Sequence, residues 1–274
     1  MSSLTKLDRL ALRADHYLMQ RAGRLIIQND SLKERLIAMG KVAPEKITVI
    51  YPGADTSEFR PGIGIGDIRE RYGLEGRMTI LFNGRIVPYK GVEYLVRAAD
   101  IVVNSFGYKK ALFLLVGPLA DKLDKIEHGD YIEKIFSFVK DSGLEANVKL
   151  TGAVPLADLT KLFAVCDIFV LPSIAETFGM VVSQAMASAK PAIGTRVGSI
   201  PAQIKDGWNG YLVEPANEHQ LAEKIKYLID HPEERRRMGL NGRKLAEDQF
   251  DWSRVTEQTL QVYQSVGMKP RNWE

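Results

Sequence analysis

The stretch Met78-Thr-Ile-Leu-Phe-Asn83-Gly84-Arg85-Ile-Val-Pro-Tyr-Lys90-Gly91 decides how this chain is read. A run of strand type leads into a glycine turn, two cations, and a helical pattern from Val92. A strand, a glycine turn and a helix start bring unpaired backbone N–H groups and the positive end of the helix dipole to one mouth. Anions are drawn there. Arg85 adds a planar fork and Lys90 a point charge, a pair suited to a diphosphate. Standing alone, the same residues read equally well as two surface cations in a loop.

Five more apolar runs follow: ALFLLV (111–116), VKLTG (148–152), DIFVLPS (167–173), PAIGT (191–195) and GYLVEP (210–215). Each is succeeded by a segment of helical or turn character, which implies βαβ units and a parallel sheet. Most of the runs are too apolar to alternate between core and solvent, as expected of strands covered on both faces. The expected fold is therefore α/β: a doubly wound, Rossmann-like parallel sheet of about six strands. Its ligand belongs at the carboxyl ends of the strands.

A second motif occupies such an end. Leu171-Pro-Ser-Ile-Ala-Glu176-Thr-Phe178-Gly179-Met180-Val181-Val-Ser-Gln184-Ala-Met-Ala runs from an apolar strand into a helix. Glu176 faces a ligand from the loop, and Gly179 lets backbone N–H groups approach it closely. Gln184 follows about two helical turns on. The plainer readings are a carboxylate at a helix N-terminus for Glu176 and a solvent-facing helix residue for Gln184.

The first residues differ in kind. Leu4, Leu7, Ala11, Ala14 and Leu18 mark a helix face, RLIIQN a strand, SLKERLIAM a helix ended by Gly40, and ITVIYPG another strand. Ser31 and Glu34 have capping-box spacing. Two βα elements are too few for a domain. We therefore expect residues 1–57 to be the remnant of a partial second α/β domain, 58–250 the main domain, and 251–274 a C-terminal helix and tail. The stretch Phe59-Arg-Pro-Gly-Ile-Gly-Ile-Gly reads as a flexible connector, since its glycines follow a proline and not a strand. Helices are expected from Asn217 to Asp230, from Pro232 to about Asp248, and from Trp252 to about Val266. The basic run Arg235, Arg236, Arg237, Arg243 and Lys244 reads as a solvated helix face.

Taken together, these residues resemble the family-four retaining glycosyltransferases of GT-B fold. The resemblance covers nearly the whole chain, from Ala14-Asp15, Arg24-Leu-Ile-Ile-Gln-Asn and Tyr51-Pro-Gly-Ala-Asp55 to Asp251-Trp-Ser253, the start of the helix that in GT-B proteins crosses back to the first domain. It implies a nucleotide-diphosphate sugar as donor substrate, no other cofactor and no metal. Gly84, Arg85, Lys90 and Gly91 resemble the diphosphate clamp, Val116-Gly117 the strand end beside the nucleotide, and Thr151-Gly-Ala-Val154 the base-contacting loop. Gly198-Ser-Ile-Pro201 resembles the turn before the next helix. The catalytic assignment falls on Glu176, Arg85 and Lys90. Donor binding is assigned to Gly84, Arg85, Lys90, Gly117, Val154, Glu176, Phe178, Gly179, Met180, Val181 and Gln184.

The chain departs from the family pattern at Gln184, which stands where a second glutamate accepts hydrogen bonds from the ribose diol. Thr177, Ser199 and Ala202 also differ. A weaker or altered nucleotide affinity is the expected consequence, because a charge-assisted hydrogen bond is worth about 1.5–3 kcal/mol and a neutral one about 1. Replacing Arg85 or Lys90 by alanine is expected to weaken nucleoside-diphosphate binding with little change in stability. The acceptor (a sugar, a lipid-linked sugar or a small molecule) would lie mainly with an absent N-terminal domain or a partner chain. A noncatalytic or regulatory GT-B subunit is the competing reading.

The bulk numbers exclude little but agree. There are 37 Lys plus Arg against 34 Asp plus Glu, a balance that does not point to nucleic acid. Cys166 is the single cysteine, so no intramolecular disulfide and no cysteine zinc site can form. The opening residues lack an apolar signal segment, and a cytoplasmic protein, soluble or peripheral at a membrane, is expected. His16, His128, His219 and His231 read as surface or packing residues.

Overall fold

The computed structural model describes residues 6–119 and 130–267, with side chains from Ala14 onward. Leu4 and His128 lie outside the described residues, and so do the side chains of Leu7 and Ala11. The chain divides into two compact units, Met1–Pro52 with Ser253–Glu274, and Gly53–Trp252.

The smaller unit is built on two short parallel strands, β1 (Leu25–Ile27) and β2 (Ile47–Val49), with Leu25 opposite Ile47. Ile27, Val42 and Ile47 are its buried centre, and Leu36 and Ile37 of the helix Asp30–Ala38 pack against them. That helix starts one residue before the expected Ser31 cap. Asn29 is the N-cap, its Oδ1 accepting from the Leu32 N–H at 2.6 Å, a geometry the Ser31/Glu34 spacing did not disclose. Gly40 closes the helix in the left-handed conformation, with the Lys41 N–H bonded to the Leu36 carbonyl. The C-terminal helix Trp252–Ser265 returns to this unit, where Val266 lies against Gly23.

The larger unit carries six parallel strands, β3 (Met78–Asn83), β4 (Ala111–Val116), β5 (Val148–Gly152), β6 (Ile168–Leu171), β7 (Ala192–Thr195) and β8 (Gly210–Val213). Their order is β5-β4-β3-β6-β7-β8. The direction of winding reverses between β3 and β6, so the switch point falls between the strands that precede the two motifs. Every residue of β4 and β6 is buried, which explains why those runs show no alternation. β6 is shorter than its apolar run. The Asp167 carboxylate accepts from the Thr79 N–H at 2.8 Å before it begins, and Pro172, without an N–H, follows its end.

The stretch after Asp55 begins less like a connector than its glycines suggest. Phe59 is 3% exposed and meets Phe163 edge-on with ring centroids 5.5 Å apart. Arg243 fixes it further, donating from one Nη to the carbonyls of Thr56 (2.9 Å), Phe59 (3.0 Å) and Ala187 (2.6 Å). The basic run is therefore not a uniformly solvated face. Arg235 donates to the Leu228 carbonyl, capping the preceding helix, and Arg237 pairs with Glu234. The last helices follow the sequence closely: Asn217 caps Glu218–Asp230 through the Gln220 N–H, and Pro232–Leu245 continues as a π-helical turn over Ala246–Phe250.

Cys166 is enclosed at the end of the helix Leu156–Val165, and burial pushes its thiol up to about 12. Little thiolate exists at neutral pH, and reagents cannot reach it. Ellman's reagent is expected to detect no thiol in the native protein and one equivalent in denaturant. A rapid native reaction would show that this helix end opens.

Candidate functional site

The floor of the site is made of backbone at the carboxyl ends of β3, β4 and β5. The Gly84 N–H donates to the Val116 carbonyl at 2.9 Å, and the Gly117 N–H to the Gly152 carbonyl at 3.0 Å. A Cβ at Gly117, where φ is +142°, would lie 2.0 Å from the Gly84 carbonyl oxygen. Only glycine fits a contact so close.

The loop after β3 then crosses to the loop after β6. A short 3-10 turn, Pro88–Lys90, ends at Gly91, whose φ of +69° and nearness to Pro172 again exclude a side chain. The carbonyl of Tyr89 accepts from the N–H groups of Ile174 (2.8 Å) and Ala175 (3.2 Å). Backbone bonds thus tie together the two loops that flank the switch point. Across that tie, the Lys90 ammonium meets the Glu176 carboxylate at 2.6 Å, with the side chains 18% and 11% exposed. The other Glu176 oxygen accepts from the Thr177 N–H at 3.1 Å. The turn Gly198-Ser199 completes the wall: the Ser199 N–H donates to the Thr177 carbonyl, and Gly198 packs directly on the Glu176 carbonyl.

This pairing corrects one expectation. Lys90 is not a loosely held surface cation, so its loss would leave a largely enclosed carboxylate without its counter-charge, and stability would fall. Arg85 is exposed and sits on Tyr89, its guanidinium hydrogen-bonded to the hydroxyl and centred 5.6 Å from the ring.

The helix Met180–Ala187 begins at Gly179, in the left-handed conformation with φ +81°, and takes no side-chain cap. Its first N–H groups therefore open on the same rim as Glu176. Met180 (47% exposed), Val181 and Gln184 lie on the more accessible face of this helix. Gln184 is not simply solvent-facing, because its Oε1 is buried and has no hydrogen-bond partner among the described residues. Phe178 is 3% exposed and packs on Phe250 with centroids 5.8 Å apart, so its ring serves the core while Gln203 bonds its carbonyl. Val154 is half-buried in the loop after β5, and no described contact joins it to Glu176 or Lys90.

Sequence reasoning passed over Tyr89 and Gln203. Tyr89 stands inside the opening motif, but residue spacing carries no sign that its carbonyl and its ring would both be used. Among the described residues no group of three or more His, Cys, Asp or Glu could hold a metal ion, and no helix is long and apolar enough to cross a membrane.

Residues 65–245, which contain every element of this rim, match the family model described as glycosyl transferases group 1. The chain belongs to the group 1 glycosyl transferases. Among curated members, the D-inositol 3-phosphate glycosyltransferase of Corynebacterium kroppenstedtii is 28% identical over 256 residues, covering 92% of this chain and 55% of the relative. The chain thus spans about half the length of that relative. HepE of Anabaena, solved with UDP, superposes with a TM-score of 0.84 at 25% identity over 94% of this chain and 68% of its own. The C-terminal domain of LpcC, a group 1 glycosyl transferase from Francisella tularensis, superposes with a TM-score of 0.65 at 27% identity, covering 73% of this chain and all of that domain. The parallel six-stranded sheet belongs to a chain of GT-B fold.

Proposed function

We propose that this chain carries the donor site of a retaining, metal-independent hexosyltransferase that moves a sugar from a nucleoside-diphosphate sugar to an acceptor hydroxyl. The observation that carries this reading is the Lys90–Glu176 contact at 2.6 Å, which brings both motifs together at the switch point. HepE, solved with UDP and with UDP-glucose, supports a nucleotide sugar as the donor.

As the glycosidic bond breaks, negative charge grows on the departing diphosphate. Arg85, Lys90 and the N–H groups at Gly179, Met180 and Val181 are the groups assigned to it, stabilising charge where it develops. Glu176 orients hydroxyls of the donor sugar. Gly84 and Gly117 let the diphosphate approach the backbone, while Val154 and Gln184 flank the nucleoside. The acceptor is a sugar, a lipid-linked sugar or a small molecule, met by an N-terminal domain or a partner chain, with the protein cytoplasmic or peripheral at a membrane.

Isothermal titration with UDP, GDP and ADP tests the reading. One of them is expected to bind, and binding should weaken when Arg85 is replaced by alanine. If none binds, the noncatalytic GT-B subunit becomes the better account.

Gln184→Glu refines the test. Its side-chain oxygen, without a partner among the described residues, already lies out of water, and a carboxylate there is costlier to bury than an amide. The ligand-free variant is expected to melt lower than the parent, yet to gain about tenfold in ribonucleotide affinity, since the diol supplies the missing donors. A 2′-deoxyribonucleotide should show little of that gain; equal gains would remove the diol from the assignment.

A further inference from the structure

The larger unit holds a second cleft, of about 460 Å³, at the amino ends of β3 and β4, the end of the sheet opposite the donor rim. Three cations line it: Arg69 on the short helix Ile68–Tyr72, Arg77 just before β3 and Lys110 just before β4. Arg77 donates from one Nη to the Ala111 carbonyl at 3.2 Å, and Arg69 more weakly to the Val165 carbonyl at 3.5 Å. Other cations of this unit have carboxylate partners, Arg71 with Asp67 and Asp158, and Arg196 with Asp206 and Glu214. Among the described residues none of the three in the cleft is so paired. The acidic group in the lining is Asp167, whose Oδ2 accepts the Thr79 N–H at 2.8 Å. Tyr108 gives its hydroxyl to Asp230, which Lys226 already neutralises at 2.8 Å.

We propose that this cleft binds a phosphomonoester dianion, carried by a small soluble molecule or by a lipid head group. Three cations facing one carboxylate leave a surplus of two positive charges, and a phosphomonoester carries about −1.5 to −2 at pH 7. Arg77, fixed through one Nη, offers its further N–H groups as a fork for phosphate oxygens, and Lys110 adds a point charge. Met78 and Ile229, both half-buried, form an apolar wall against which the organic part of the ester lies. The donor rim lies past the carboxyl ends of the same strands, so this inference stands apart from the donor-site reading and neither needs it nor tests it.

The experiment is a titration of the whole chain with glycerol phosphate at constant ionic strength, followed through backbone amide resonances. The amides of Arg77 and Ala111 should shift saturably, whatever happens at Gly84 and Gly179 on the donor rim. Arg77→Gln should weaken binding about tenfold, and Lys110→Gln about threefold because that residue is exposed. Asp167→Asn should tighten it about fivefold, since the like charge is gone while an amide oxygen still accepts the Thr79 N–H. Such a gain cannot come from a damaged fold. No saturable shift at Arg77 and Ala111, an Arg77→Gln variant that binds as the parent does, or an Asp167→Asn variant that binds no tighter would each overturn the assignment.

With the shifts in hand, vesicles separate the two sources of the phosphate. Cosedimentation with phosphatidylcholine vesicles that contain phosphatidic acid, absent with phosphatidylcholine alone and lost in Arg77→Gln, assigns the cleft to a lipid head group. Sedimentation that survives Arg77→Gln, or none at all, leaves a soluble ester as the ligand.

Discussion

Lys90→Ala is expected to raise the Kd for UDP about thirtyfold and to lower the melting temperature by several degrees. The affinity term follows from losing one charge-assisted contact to a diphosphate, about 2 kcal/mol. The stability term follows from the partner left behind. Glu176 is 11% exposed and, among the described residues, would retain the Thr177 N–H alone, so its carboxylate would sit in a site built for an ion pair. Breaking a pair enclosed to this degree costs about 2 kcal/mol, below the figure for full burial, and such a loss moves a unit of this size by about 4–8 °C. The two terms separate in Lys90→Ala/Glu176→Gln. Neutralising the carboxylate should recover most of the melting temperature and none of the affinity. A double variant that stays as unstable as the single would show that the lysine stem, not its charge, supports the loop.

Gly198→Ala should be among the most damaging single methyls at the described glycines. An added Cβ would lie 1.8 Å from the Glu176 carbonyl oxygen and 3.0 Å from that of Thr177, both main-chain atoms, at a φ of +53°. Neither atom can swing aside as a side chain would, so the loop that bears Glu176 must shift as a body. A loss of about 3–5 kcal/mol is expected, together with loss of UDP binding. Gly107→Ala is the control. Its φ is +83° but nothing lies within 4 Å of the added Cβ, so only the conformational cost of about 1–2 kcal/mol applies. Similar melting temperatures for the two variants would mean that the strain of the left-handed residue, and not the closeness of the two loops, dominates at Gly198.

These contrasts mark what the sequence discloses. The six strands of the larger unit were legible because most are short apolar runs, and β4 and β6, buried along their whole length, look so because both their faces are covered. The α/β class and the switch point followed from their alternation with helices. That Lys90 and Glu176 share one crevice follows from the two motifs, but their direct ion pair and its degree of enclosure do not, since both depend on how the loops after β3 and β6 meet. Ser31 has a cap's spacing to Glu34, whereas Asn29 makes the bond. Arg243 reads as part of a basic face because charge runs usually are; the approach of three carbonyls from two separate segments shows its work. Such long-range contacts leave no periodic trace along a chain.

The stitching of the larger unit at its two ends has a further consequence. Ala54 donates its N–H to the Phe250 carbonyl at 2.7 Å, and the Thr56 hydroxyl bonds the Asp251 carboxylate at 2.6 Å. The first and last residues of the six-stranded layer thus emerge side by side, as in a ring whose clasp is a strand bridge. A polypeptide closed in this way tolerates relocation of its termini. Joining position 53 to 252 through a short glycine linker and reopening the ring at the outward-facing turn near Gly107 would keep the rim intact while moving both chain ends away from it.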